Sequence, residues 1–243
     1  MESTLHGAGD EAVLSRAGAG HDLILFDLDG TLSDPLVGIC RSINYALSHF
    51  GHATFELPQL AAYIGPPLDE TFAKITGVSS EAELAGYVAK YRERYAAVGY
   101  SENVLYPGIV EALGQLRRAG IPLGVCTSKR EDFAEQILQM FGLRGHFQFV
   151  SGGVIGTPKW RQIEALLASG RVSPASVMIG DRAIDVEAAH RNGLQAGGVL
   201  WGYGSAGELA AAQPRYSFAS AAGLLDLLTS PVTMPSNTRG ETS

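Results

Sequence analysis

The sequence predicts a doubly wound, Rossmann-like α/β fold, a parallel sheet core carrying an inserted helical domain. Three observations predict it. Short unbroken apolar runs recur along the chain, and helical stripes separate most of them. One interval of roughly 70 residues, Leu36 to Tyr106, carries helical patterns with no obvious strand.

The elements follow in order. The first 21 residues hold no continuous apolar stretch and no packing pattern, so 1–21 is expected to be a disordered leader and no secretory signal. Leu23 to Phe26 is the first strand, and 22–35 opens the core domain. The interval 36–106 then carries two stripes, Ile39, Ile43, Leu47 and Phe50, and Leu84, Val88, Tyr91 and Tyr95. A crossover between parallel strands needs far fewer residues, so this is an insertion with its own small core. Tyr87, Tyr91 and Tyr95 are expected to pack that bundle, with stacking on a substrate as the alternative.

The core resumes over 107–228. Helical stripes at Ile109, Leu113 and Leu116, at Phe133, Ile137 and Phe141, and at Ile163, Leu166 and Leu167 alternate with expected strands. Those strands are Ile121 to Cys126, Phe147 to Val150, Val177 to Ile179 and Ala196 to Trp201. Unbroken apolar runs suit strands covered on both faces. The last stretch, 229–243, has two prolines and many polar residues and is expected to be a flexible tail.

Composition narrows function. The chain of 243 residues has 18 basic and 25 acidic side chains and a formal charge of −7. With no basic run, neutralising a nucleic-acid polymer or an anionic membrane is excluded as its main task. No stretch approaches the roughly 18 apolar residues of a membrane span, and a cytoplasmic location is expected. Cys40 and Cys126 match no CxxC pattern and are expected to be buried apolar thiols.

In open α/β sheets ligands bind beyond the carboxyl ends of the strands, so the residues after each strand matter most. After the first strand comes Asp27-Leu28-Asp29-Gly30-Thr31. Two carboxylates so placed repel unless a hard cation such as Mg²⁺ joins them; a solvated Asp-Gly turn is the alternative. After the second comes Thr127-Ser128-Lys129, where a hydroxyl either caps a turn or donates to a phosphate oxygen.

Gly156-Thr157-Pro158-Lys159 opens a helix, with Thr157 expected at the N-cap and Pro158 at the first helical position. A lysine in a first turn opposes the helix dipole unless it serves an anion there. Asp181 and Asp185 follow the fourth strand, where they can cap a helix or complete a metal site. Carboxylate pair, hydroxyl, lysine and second acid pair on one sheet edge are the parts needed to move a phosphoryl group through an aspartyl phosphate.

That set resembles the haloacid dehalogenase superfamily of phosphohydrolases. Asp27-Leu28-Asp29-Gly30-Thr31 is similar to its first motif, Thr127 to its second, Lys159 to its third and Gly180-Asp181-Arg182-Ala183-Ile184-Asp185 to its fourth, all in the family's order. The insert lies where the family's C1 helical cap would be. The resemblance covers roughly residues 22 to 228. Tyr63-Ile64-Gly65-Pro66-Pro67-Leu68, Val104-Leu105-Tyr106-Pro107-Gly108 and Leu200-Trp201-Gly202-Tyr203-Gly204-Ser205 resemble the bacterial 5′-nucleotidase and phosphoglycolate phosphatase-like group. Departures are a short Gly152 to Pro158 segment and Arg182, where many members carry a small residue.

The resemblance implies Asp27 as nucleophile and Asp29 as acid and base. It implies Mg²⁺ on Asp27, the Asp29 backbone carbonyl, Asp181 and Asp185. Thr127, Ser128 and Lys159 would hold the phosphoryl group, with Asp34 at a hinge. The implied substrates are small soluble phosphomonoesters, nucleoside 5′-monophosphates first and phosphoglycolate or another sugar or organic-acid phosphate second. A phosphomutase and a non-catalytic phosphometabolite sensor are further alternatives. Arg41, Asn44, Gly65 and Lys129 are the candidate substrate contacts.

Overall fold

The computed structural model describes residues 21–154 and 156–229. The expected leader and tail therefore lie outside the described residues, apart from His21 and Thr229. The first described elements are β1 (Ile24–Phe26) and the short β2 (Ser33–Asp34). Four helices follow: α1 (Leu36–His49), α2 (Leu57–Leu60), α3 (Leu68–Thr76) and α4 (Glu81–Ala97). The chain returns through a 3₁₀ turn, Gly99–Glu102, and β3 (Val104–Leu105), which pairs antiparallel with β2.

Strands and helices then alternate: α5 (Ile109–Arg118), β4 (Leu123–Cys126), α6 (Glu131–Met140), β5 (Phe149–Ser151), α7 (Lys159–Ala168), β6 (Val177–Gly180), α8 (Ala183–Arg191), β7 (Gln195–Val199), α9 (Ala206–Ala212) and β8 (Tyr216–Phe218). The last described element is the 3₁₀ helix Ala221–Leu228.

Among the described residues the main sheet has six strands in the order β5-β4-β1-β6-β7-β8, every pairing parallel. Strand β1 is where the winding reverses, so the crevice at its carboxyl end is the topological switch point. Ile24 and Phe26 point into one core layer with Leu113, Leu116 and Ile137; Leu25 points into the other with Ile163, Met178 and Val186. Burial on both faces is why β1 reads as an unbroken apolar run.

The helices between β2 and β3 have their own core. Ile39, Ile43 and Leu47 of α1 pack on Leu60, Ile64, Phe72 and the row Tyr87, Tyr91 and Tyr95 of α4, with Phe133 of α6 joining from below. The tyrosines, spaced one helical turn apart, are all buried and Tyr91 stacks on Tyr95 at 5.5 Å. Close packing of α1 depends on Gly38, where a Cβ would stand 2.1 Å from the carbonyl oxygen of Gly99. Both cysteines are buried and free, and burial pushes the thiol of Cys126 up to about 12.

Two expectations need correction. Pro158 is the residue before α7 and not its first: its extended backbone and a carbonyl that accepts from Arg161 N (3.0 Å) make it the N-cap, with Lys159 leading the helix. Thr157 therefore lies outside the first turn. The strand β8 and the β2–β3 pair escaped the sequence pattern because they are two or three residues long and partly exposed. No helix among the described residues is long and apolar enough to cross a membrane.

Candidate active site

The loops leaving β1, β4, β5 and β6 converge on one crevice. Asp27 follows β1 directly, and its backbone N donates to the Ile179 carbonyl of β6 at 2.9 Å. The chain then turns sharply: Gly30 has φ +82°, its N donates to the Ser33 carbonyl at 2.8 Å, and Leu32 N donates to the Leu28 carbonyl at 2.9 Å. A positive φ is unstrained only for glycine, and here space forbids a side chain as well. A Cβ on Gly30 would lie 2.2 Å from Asp181 Oδ2.

Two lysines each hold one of the first two aspartates. Lys159 Nζ lies 3.1 Å from Asp27 Oδ2 and bonds to Asp185 Oδ1, with its side chain almost wholly buried. Lys129 Nζ lies 2.8 Å from Asp29 Oδ2 and donates to the Tyr95 hydroxyl of α4 at 2.8 Å. The other oxygen of each aspartate, Asp27 Oδ1 and Asp29 Oδ1, is buried and has no hydrogen-bond partner among the described residues. Such orphaned acceptors are costly unless a ligand satisfies them. In each lysine, burial favours loss of the proton, but the carboxylate charges outweigh it and the net shift is upward.

Asp27, Asp181 and Asp185 form a buried trio, each offering an oxygen within 4.8 Å of the others. Burial, and then the charge of Asp27, push the Asp181 carboxyl up to about 7. Asp181 Oδ1 accepts from Thr31 Oγ1 at 3.3 Å and Oδ2 from Tyr203 N at 2.8 Å. Asp185 Oδ2 accepts from Arg182 N at 3.1 Å, so it caps α8 and pairs with Lys159 at once. Burial raises its carboxyl too, against the opposing charge of Lys159. Burial likewise raises Asp29, with Lys129 opposing. Three carboxylates against one ammonium, with Asp27 Oδ1 buried and unpartnered among the described residues, fit a divalent hard cation with oxygen ligands.

Thr127 is buried at the end of β4. Its hydroxyl accepts from Lys129 N at 3.3 Å, its N donates to the Ser151 carbonyl at 3.0 Å, and Gln162 of α7 donates to its carbonyl at 3.3 Å. Ser128 is exposed, and its carbonyl packs so closely on Gly153 that a Cβ there would approach it to 2.3 Å. Despite the short loop before it, Lys159 reaches both Asp27 and Asp185.

The four candidate substrate contacts separate. Lys129 is in the crevice. Gly65 borders Arg182, whose Nη1 donates to the Ile64 carbonyl at 3.1 Å and whose Nε donates to Glu208 at 2.8 Å. Arg41 and Asn44 are engaged elsewhere. Arg41 is an exposed side chain paired with Glu102 at 2.7 Å, the carboxylate that Arg94 also holds, and these arginines, Arg94 first, keep it below its ordinary range. Asn44 brackets the backbone of Phe55, donating to its carbonyl at 2.7 Å and accepting from its N at 3.0 Å. Neither is brought to the aspartates.

Two aromatic residues of segment 200–205, to which the sequence assigned no contact, complete the surroundings. Tyr203 donates its hydroxyl to Asp34, and Asp34 also accepts from Leu36 N at 2.9 Å, tying the start of α1 to the loop after β7. The Trp201 indole N donates to the Thr31 carbonyl at 3.0 Å. The Gly-Tyr-Gly spacing was the available signal, since a Cβ on Gly202 or Gly204 would run into Asp181.

Residues 24–199 match the family of haloacid dehalogenase-like hydrolases. The 5′-nucleotidase of Pseudomonas aeruginosa is 41% identical over 211 residues, covering 85% of this chain and 95% of that one. Tyrosine-protein kinase PtkA of Mycobacterium tuberculosis is 39% identical over 196 residues, 79% of this chain; the match spans 66% of PtkA's length. Among solved structures, the haloacid dehalogenase-like family protein SP0104 from Streptococcus pneumoniae superposes with a TM-score of 0.78 at 28% identity, covering 85% of this chain and 97% of that one. With the sheet order, the position of the paired aspartates after β1 and a family match across most of the chain all in agreement, the protein belongs to the haloacid dehalogenase-like hydrolases.

Proposed function

We propose that the chain is a Mg²⁺-dependent phosphatase that hydrolyses small phosphomonoesters through Asp27, nucleoside 5′-monophosphates foremost. The observation that carries this is the pair of buried, unpartnered oxygens, Asp27 Oδ1 and Asp29 Oδ1, each on a carboxylate whose other oxygen a lysine holds.

Asp27 attacks phosphorus; an Asp27 O–P bond forms as the bond from phosphorus to the leaving oxygen breaks, and Asp29 gives that oxygen its proton. Asp29 then takes a proton from water, whose oxygen attacks phosphorus and frees Asp27. Burial, which favours a protonated Asp29, suits the first half of this cycle. Lys159, the Thr127 hydroxyl and the neighbouring backbone amides stabilise charge on the phosphoryl oxygens. Asp27, Asp181, Asp185 and the Asp29 carbonyl would hold Mg²⁺, which when bound supplies charge neutralisation at the phosphoryl group. The helices 36–106 act as a cap that excludes water and contacts the leaving group.

The nucleotide preference is supported by similarity to the P. aeruginosa 5′-nucleotidase along nearly its whole length. One observation favours phosphoglycolate as a second reading: the Lys129 ammonium lies beside the acid, where it could meet a carboxylate on the leaving group. The test is phosphate release from nucleoside 5′-monophosphates, phosphoglycolate and ATP with Mg²⁺ and with excess chelator. The expected result is metal-dependent turnover with kcat/KM highest for a nucleotide. Phosphoglycolate preferred tenfold, about 1.4 kcal/mol of transition-state binding, would overturn the ordering. Undiminished turnover after metal removal would overturn the metal assignment, and transfer from ATP to protein tyrosine outpacing hydrolysis would overturn the reaction class.

A further inference from the structure

We propose that Lys129 is a positioning residue that couples docking of the helical insert to the orientation of Asp29. The proposal rests on the phosphatase reading, in which Asp29 must present one oxygen to the leaving group.

A carboxylate at a strand exit can rotate and offer either oxygen. Here Oδ2 is pinned by Lys129 at 2.8 Å, so Oδ1 is the oxygen left buried and unpartnered. The pin is itself held from the other domain. Lys129 Nζ donates to the Tyr95 hydroxyl at 2.8 Å and lies 4.7 Å from the centroid of that ring. Tyr95 cannot easily shift: it stacks on Tyr91 at 5.5 Å and meets Phe133 edge-on at 5.1 Å. Its hydroxyl also lies 3.5 Å from Asn103 Nδ2, and Asn103 Oδ1 accepts from Ser33 Oγ at 3.2 Å, at the return from insert to core.

The insert therefore sets the place of the Tyr95 hydroxyl, the hydroxyl places Lys129, and Lys129 decides which Asp29 oxygen is free. An ammonium this enclosed needs both acceptors; moving the insert away leaves Lys129 free to swing and Asp29 free to rotate. The acid is thus in register only when the insert is seated. A direct substrate contact by Lys129 makes a different forecast, a change in KM that is the same for every leaving group.

The experiment uses the full chain with Mg²⁺ and a series of substituted phenyl phosphates, from p-nitrophenyl to unsubstituted phenyl, whose leaving groups need increasing help from an acid. Two variants are compared: Lys129→Met, which keeps length and removes the donors, and Tyr95→Phe, which removes one hydroxyl and keeps the ring. Thermal melts verify folding, and Tyr95→Phe carries the test if Lys129→Met does not fold. Lys129→Met is expected to lower kcat about tenfold more for phenyl phosphate than for p-nitrophenyl phosphate, and Tyr95→Phe about threefold more, with KM little changed. Losses equal across the series, or a rise in KM alone, overturn the proposal while leaving the phosphatase reading standing. A wild-type chain inert toward the whole series and toward nucleoside 5′-monophosphates and phosphoglycolate overturns both.

Discussion

Asp181→Asn should stabilise the metal-free protein. Without a cation, the crevice holds Asp27, Asp181 and Asp185 against the single ammonium of Lys159. Burial first, and then Asp27, raise the Asp181 carboxyl from 3.8 to about 7. Keeping that group ionised above pH 7 therefore costs up to about 4 kcal/mol, at 1.36 kcal/mol per pKa unit. Asparagine removes the charge and keeps the shape: its oxygen can accept from Tyr203 N, and its amide can donate to the Thr31 hydroxyl, which turns to receive it. Allowing for relaxation, the gain should be about 1–3 kcal/mol, or about 2–12 °C in Tm for a chain of this size.

The sign with pH follows from the raised value. Between about 4 and about 7 the folded chain keeps a proton that the unfolded chain releases, so metal-free wild type loses stability as pH rises through that window. The advantage of Asp181→Asn should thus be smallest near pH 4 and fully developed at pH 8. Excess Mg²⁺ at pH 8 should reverse the order, because binding to the native state stabilises the wild type. Thermal melts of both proteins at the two pH values, with chelator and with Mg²⁺, decide the matter. An Asp181→Asn protein no more stable than wild type in chelator at pH 8, or an advantage independent of pH, would refute the electrostatic account.

Other substitutions probe other parts of the molecule. Asp27→Asn should abolish turnover with the fold retained, since an amide is nearly isosteric and a poor nucleophile; ordinary phosphate release from the purified variant would exclude the covalent route. Gly38→Ala should destabilise by about 2 kcal/mol despite alanine's better helix propensity, because the new Cβ would meet the Gly99 carbonyl oxygen at 2.1 Å; unchanged urea denaturation would contradict the close packing of α1.

The sequence made the site more legible than its surroundings. Asp27, Thr127 and Asp181 directly follow strands, and strands buried on both faces announce themselves as apolar runs, so their position in the sheet followed from local pattern. The partner of Lys129 could not, since Tyr95 comes from another helix and looked like one more packing aromatic in a row of three. Arg41 is a candidate contact by its place on the first helix of the insert; the carboxylate that engages it, Glu102, is 61 residues away and visible only once the insert folds back. Tyr203 shows a further limit, because its backbone N and its hydroxyl serve different elements, and no periodicity reports a residue that works at both ends.

The glycines around the second acid pair carry a consequence for how this site can change. Gly30 and the pair Gly202 and Gly204 come from two loops and Gly180 from the end of β6, yet each leaves room that a Cβ would take from Asp181 or Asp185. They contribute no reacting atom, but they form a mould whose walls are backbone. Because the mould is shared, enlarging one position cannot be offset by shrinking another; there is nothing smaller than hydrogen to shrink to. Tolerance to substitution at these positions should consequently follow the geometry of the two carboxylates and not the local secondary structure, leaving diversification of the protein to the helices and loops beyond that shell.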